Sequence, residues 1–255
     1  MKIQLDVTKS LEQNAETYFN KAKKAKRKLG GAKEALEKSF LKLEKAKKDK
    51  LKQEAKKEKV ERKKEWYEKF RWFRSSEGFL CIGGRDATSN EIVIKKHMDK
   101  DDIVFHTNMA GSPFFVIKIK EEKPTEATIN EVAQATASYS RGWKAGIASA
   151  DVFFVNPSQV TKEAKSGEFV PKGAFMIYGK KNTLVAELRI AIGLKDGQII
   201  GGPIDAIRAQ TDNFVIVIQG NEKTSGVAKK IKKKLKGGSI DEIIRMIPAG
   251  GCKVQ

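Results

Sequence analysis

Residues 66–96 read WYEKFRWFRSSEGFLCIGGRDATSNEIVIKK, and the texture of the chain changes in the middle of them. Upstream of Ser75-Ser76, no Pro or Gly occurs back to Ala32, and Lys and Glu interleave at helical spacing through KKDKLKQEAKKEKVERKKE. Downstream, short β-branched and aromatic runs are bounded by turn residues: FLCIGG (79–84), EIVIKKHM (91–98), DIVFHTN (102–108) and FFVIKIK (114–120). These runs predict a meander of strands. The pattern therefore divides the chain into a basic helical arm over residues 1–74 and a compact mixed domain over 75–255, an α+β class with an antiparallel sheet and flanking helices.

Within the arm, Leu11, Ala15, Tyr18, Ala22, Ala25 and Leu29 follow steps of three and four, one seam of a helix that Thr8 or Ser10 can cap. Gly30-Gly31 interrupts it, and the spacing of Leu36, Phe40 and Leu43 marks a second seam. Two adjacent glycines cost a helix interior about 1 kcal/mol each, so the expectation is an antiparallel helical hairpin of coiled-coil type. Its second helix runs from about Ala32 to Trp72, and its charged lower half, residues 47–64, reads as a solvated strut. Trp66, Phe70 and Phe73, on one helical face with Tyr67 nearby, would dock that strut onto the next domain.

Further along, TEATINEVAQATASYSRGW (125–143) has helical spacing at Ile129, Val132, Ala133 and Ala137, with Thr128 as a cap. Strands are predicted again at ADVFFVN (150–156) and GAFMIYGK (173–180). ELRIAIGLKDGQIIGG (187–202) predicts a hairpin turning at Asp196-Gly197, followed by the strand FVIVIQG (214–220). Two short helices close the chain, near Gly226–Leu235 and Ile240–Met246. Trp143 reads as a core anchor rather than a base-stacking platform.

Charge points to the partner. The sequence holds 51 Lys and Arg against 32 Asp and Glu, a formal charge of +19. Residues 1–74 carry 25 of the bases and 12 of the acids, so 13 of the 19 surplus charges sit on the arm. Such an excess calls for a polyanion. Lys21, Lys23, Lys24, Lys26, Arg27 and Lys28 have few acids near them, whereas the later Lys/Glu mixture compensates itself. No apolar run is long enough to span a membrane, and MKIQLDVTKS lacks the apolar core of a secretory signal. Cys81 and Cys252 suggest neither a disulfide nor a metal site, and a reducing cytoplasm is the expected compartment.

Catalytic constellations are not evident. His97 and His106 have no Cys or carboxylate at metal-ligand spacing, and no nucleophile elbow precedes a helix. IGGRDA and IYGKKN lack the spacing of either phosphate-binding glycine motif. The expectation is a protein without enzymatic activity, cofactor or metal. The glycines Gly83 and Gly84 read as a strand end at positive φ, with Asp86 and Asn90 bonding the turn backbone. Arg85 at that turn, with Lys95 and Lys96 on the next predicted strand and Lys180 and Lys181 after another, could equally form a phosphate-contacting surface.

Three ordered blocks carry a resemblance: residues 66–96 quoted above, VFHTNMAGSPFFVIK (104–118), and PSQVTKEAKSGEFVPKGAFMIYGKKN (157–182). Together they resemble the NFACT-R domain of the NFACT family, the group that includes animal NEMF, bacterial RqcH and archaeal relatives, and the archaeal type is the nearest in its short coiled coil. LDVTKSLEQNAETYFNKAKKAKRKL (5–29) resembles the start of that family's middle coiled coil. The family's NFACT-N domain and helix-hairpin-helix module have no counterpart in these residues. The resemblance implies binding to an obstructed large ribosomal subunit, with rRNA and tRNA as partners, alongside an NFACT-N-containing chain or other quality-control proteins, and in full-length relatives C-terminal tailing of the nascent chain.

Where many relatives have His-Ala-Asp and then His-Gly-Ala, this chain reads His106-Thr107-Asn108 and Ala110-Gly111-Ser112, a carboxylate and a histidine fewer. The nucleic-acid-binding candidates are accordingly Lys23, Lys24, Arg27, Lys28, Arg74, Arg85, Lys95, Lys96, His106, Asn108, Lys180 and Lys181. The alternative is a protein-interaction adaptor, of which fibronectin-binding types are one kind, whose charged helix recruits another protein.

Overall fold

The computed structural model describes residues 3–8, 10–57, 65–163 and 169–255, with side chains for all of these except 45–57. The chain divides into two units, Met1–Lys63 and Lys64–Gln255.

The first unit is built on one helix, α1 (Leu11–Lys57). The expected hairpin is not formed: Gly30 and Gly31 are both helical, and a Cβ added to either would meet nothing within 4 Å. A glycine costs a helix propensity but presents no steric obstacle, and the Ala-, Lys-, Leu- and Glu-rich flanks carry the helix through. The segment before α1 folds back along its first turns instead. Asn14 donates to the Asp6 carbonyl and accepts from the Asp6 N–H, and Tyr18 donates its hydroxyl to the Gln4 carbonyl. Ser10 is the cap, with Ser10 Oγ accepting from Gln13 N–H and Gln13 Oε1 from Ser10 N–H. The lower part of the expected strut, residues 58–64, lies outside the described residues.

The second unit runs β1 (Arg71–Arg74), β2 (Leu80–Gly83), α2 (Ala87–His97), β3 (Ile103–Thr107), β4 (Phe115–Lys118), α3 (Glu126–Ser138), α4 (Arg141–Ala145), β5 (Ser149–Val155), β6 (Val160–Thr161), β7 (Met176–Ile177), β8 (Asn182–Glu187), β9 (Arg189–Lys195), β10 (Gln198–Gly202), α5 (Ile204–Arg208), β11 (Phe214–Glu222), α6 (Thr224–Leu235), α7 (Ile240–Met246) and β12 (Cys252–Val254). Every strand pairing is antiparallel. A six-stranded sheet has the order β1-β2-β4-β3-β5-β8, a four-stranded sheet β10-β9-β11-β12, and β6 pairs with β7. The α+β class and antiparallel sheets expected from sequence are the ones found. The order is not a simple meander, because β4 lies between β2 and β3.

The six-stranded sheet is covered on both faces, which explains its unbroken apolar runs. Cys81, Phe105, Phe115 and Ile117 pack toward α3 in a core that continues to Ile190, Ile192 and Val217 of the second sheet. Their alternates Ile82, Val104, Phe114 and Val116 pack with Val93 and Ile94 of α2 on the opposite face. Trp143, 2% exposed, belongs to the first core and donates its Nε1–H to the Gly251 carbonyl.

Three expectations fail locally. EIVIKKHM is the end of helix α2, not a strand: Asp86 accepts from Ser89 N–H and Ser89 Oγ from Asp86 N–H, a capping box that overrides the β preference of Ile-Val-Ile. Lys95 and Lys96 therefore stand in the last turn of a helix. WYEKFRWF is a 3-10 turn, Trp66–Lys69, leading into β1, not a continuous helix. Phe70 and Phe73 both dock, but to opposite faces of the sheet, while Trp66 remains partly exposed and stacks on His97. Thr125, rather than Thr128, caps α3; the Thr128 hydroxyl donates to Glu77 instead.

Candidate functional site

On the second unit, the β2–α2 turn, the β3–β4 loop and the residue 171–177 segment enclose a cleft of about 570 Å³. Its shape depends on two glycines that permit close approach. A Cβ on Gly84 would sit 1.9 Å from Asn90 Oδ1, and one on Gly173 would sit 2.4 Å from Ala87 Cα. Gly83 and Gly84 are thus needed for packing and not for positive φ, since neither has it. Asn90 fixes the loop opposite, accepting from Phe114 N–H at 3.1 Å and donating to the Ser112 carbonyl at 3.3 Å. Glu91 fixes the other lip by accepting from Gly173 N–H at 3.0 Å while pairing with Lys95. Those contacts hold the Glu91 carboxyl down to about 2, the Lys95 hydrogen bond contributing most.

Four cations line the cleft, Arg71, Arg85, Lys172 and Lys181, against one acid, Asp86, whose carboxylate is occupied at the α2 cap. Arg71, on β1, lays its guanidinium 4.0 Å from the Tyr139 ring centroid, and burial lowers its pKa. Arg85 donates Nη1–H to the Arg245 carbonyl and Nη2–H to the Phe70 carbonyl, both at 3.0 Å. Burial first, and the neighbouring Arg71 charge second, lower its pKa to about 10, so it stays charged at neutral pH. Arg71 Nη1 and Arg85 Nε are closed off from solvent, and no described residue accepts from them.

His106 stacks on Phe114, centroids 4.2 Å apart, with Nε2 3.2 Å from the Ser112 carbonyl. Burial depresses its pKa to about 4, so the ring is neutral at physiological pH. In this chain His106 shapes the loop and adds no charge. Lys181 holds its ammonium 4.4 Å over the Phe153 ring.

Of the predicted candidates, Arg85, His106, Asn108 and Lys181 come together in this cleft. Lys95, Lys96, Arg74 and Lys180 do not line it. Lys95 is paired with Glu91, Arg74 bonds the Gly78 carbonyl, and Lys96 and Lys180 are exposed. Lys23, Lys24, Arg27 and Lys28 belong to the other unit, exposed within an arc of about 140° of α1. Sequence reasoning missed Arg71, Tyr139 and Lys172. The signal for Arg71 was available: an arginine with no acid beside it inside the aromatic run FRWF. Among the described residues no cluster of His, Cys, Asp and Glu could hold a metal ion, and no helix is long and apolar enough to cross a membrane.

Residues 69–179 match the model of the NFACT protein RNA binding domain, a span that includes Arg71, Arg85, His106 and Lys172. The chain is 39% identical over 202 residues to the archaeal Rqc2 homolog aRqcH of Methanocaldococcus jannaschii, covering 76% of this chain and 30% of that protein. It is 38% identical over 174 residues to the human ribosome quality control complex subunit NEMF, covering 67% of this chain and 16% of that one. The chain thus spans less than a third of either relative. A solved structure, the C-terminal part of the fibronectin/fibrinogen-binding protein from Streptococcus suis, aligns at a TM-score of 0.40 and 18% identity over 50% of this chain and 49% of that one, a likeness too slight to carry an argument. With the RNA-binding domain matched in the unit that holds the cleft and more than a third of the aligned residues shared with an archaeal RqcH, the chain belongs to the NFACT family and is of the archaeal RqcH-like type.

Proposed function

We propose that this chain is an RNA-facing, non-catalytic component of cytoplasmic ribosome-associated quality control, touching large-subunit rRNA and tRNA on stalled ribosomes. The observation that carries the reading is the cleft of the family's RNA-binding domain, with four cations against one acid already used at a helix cap. The basic face of α1 supplies a second phosphate-contacting surface. Binding is electrostatic, with shape selecting the register, and peptide transfer is left to the ribosome.

Crosslinking and sequencing of bound RNA from cells tests the partner: recovery of large-subunit rRNA and tRNA is expected, and recovery of neither would refute the reading. A second reading has one observation in its favour. Leu29, Leu36, Phe40 and Leu43 are exposed along a single stripe of α1, as in a helix that recruits another protein. Pull-down after exhaustive nuclease digestion separates the two, because an RNA-mediated partner disappears and a protein partner stays.

A further inference from the structure

A buried guanidinium N–H with no acceptor has lost its water without replacement, and an adjacent like charge adds to that cost. The cleft contains two such groups side by side. Arg85 has both terminal nitrogens tied to the carbonyls of Arg245 and Phe70, which fixes its plane and leaves Nε as the unmet donor. Arg71 is fixed by its stacking on Tyr139, whose hydroxyl is anchored to the Met246 carbonyl at 2.8 Å, and leaves Nη1 unmet. Two adjacent guanidiniums with unmet donors, at the wall of a cleft lined by no free carboxylate, suit a ligand that brings negative charge and several acceptor oxygens.

We infer that the cleft is a single-phosphate site in which Arg71 and Arg85 grip one phosphate jointly, with Lys172 and Lys181 at its margin. The inference rests on the RNA-facing reading but differs from a basic surface along which a backbone merely tracks: one phosphate enters the cleft and is held by the planar donors of two adjacent guanidiniums. In the free protein Arg71 Nη1 and Arg85 Nε are closed off from solvent, so a phosphate engages them only as the two guanidiniums shift from the Tyr139 ring and from the Arg245 and Phe70 carbonyls. Lysine cannot substitute, since an ammonium neither stacks flat on Tyr139 nor offers paired donors. The phosphate can be an internal diester of an RNA strand or a terminal monoester, and the two sources are separable.

The test uses the full chain and two short oligoribonucleotides of one sequence, one with a 5′-phosphate and one with a 5′-hydroxyl, with inorganic phosphate as competitor. Arg71→Gln and Arg85→Gln are each expected to weaken binding about tenfold or more, with Arg71→Lys nearly as damaging and Lys195→Gln, exposed and outside the cleft, without effect. Equal wild-type affinity for the two oligonucleotides assigns the site to an internal phosphate. Tighter binding of the phosphorylated one, competed by inorganic phosphate, assigns it to a terminal phosphate. Should both glutamine variants fold, by circular dichroism, and bind either oligonucleotide as the wild type does, the inference is overturned while the RNA-facing reading stands on the α1 surface. Restoration of full binding by Arg71→Lys would also overturn it, because a bare positive charge would then suffice.

Discussion

At the scale of single residues, the site depends on side chains whose hydrogen bonds leave little freedom. Asn90 satisfies Phe114 N–H inside the protein, so Asn90→Ala strands a buried donor and is expected to cost about 1–3 kcal/mol in urea unfolding. A loss under 0.5 kcal/mol would show that the loop rearranges. Trp143→Ala empties part of the main core and removes the Gly251 contact, for an expected loss of about 3–5 kcal/mol. His106 gives a pH signature. Its folded pKa of about 4 lies below the unfolded value near 6.5, so the unfolded chain takes up the proton first. The stability contributed by the neutral ring is complete above the unfolded value and is lost as pH falls from about 6.5 toward 4. An NMR titration should place the His106 midpoint well below 6.5, and a midpoint at or above 6.5 would contradict the burial described here.

Among elements, α1 tests how two glycines behave in a long helix. Both are helical and an added Cβ would meet nothing within 4 Å, so Gly30→Ala with Gly31→Ala adds propensity without a clash. Each change is worth up to about 1 kcal/mol of helix stability, seen as slower amide exchange over residues 25–36. If the glycines formed a hairpin turn, the double variant would instead lose structure. The β9–β10 turn behaves differently. Asp196 and Gly197 have φ of 48° and 77°, the pairing a two-residue hairpin needs, and Gly197→Val is expected to destabilise by at least about 1 kcal/mol.

At the scale of the whole molecule, the +19 charge sets the ionic-strength dependence of any RNA complex. Replacing Lys23, Lys24, Arg27 and Lys28 with glutamine should reduce the slope of log affinity against log salt by up to about 3, at roughly 0.7–0.9 per phosphate contact. An unchanged slope would place the contacts elsewhere. The sequence alone determined the mixed class, the β9–β10 hairpin, the two closing helices and the excess of positive charge, because periodicity, turn chemistry and composition are local properties. It named Arg85, His106, Asn108 and Lys181 but could not group them apart from Lys95, Lys96 and Lys180. Only the tertiary structure decided that Ile92-Val93-Ile94 belong to a helix, since short β-branched runs suit either state until a cap and a facing sheet select one. It alone also brought Arg71 from β1 beside Arg85 across a sheet pairing and against Tyr139, for a cleft is made by long-range packing, which no local spacing encodes.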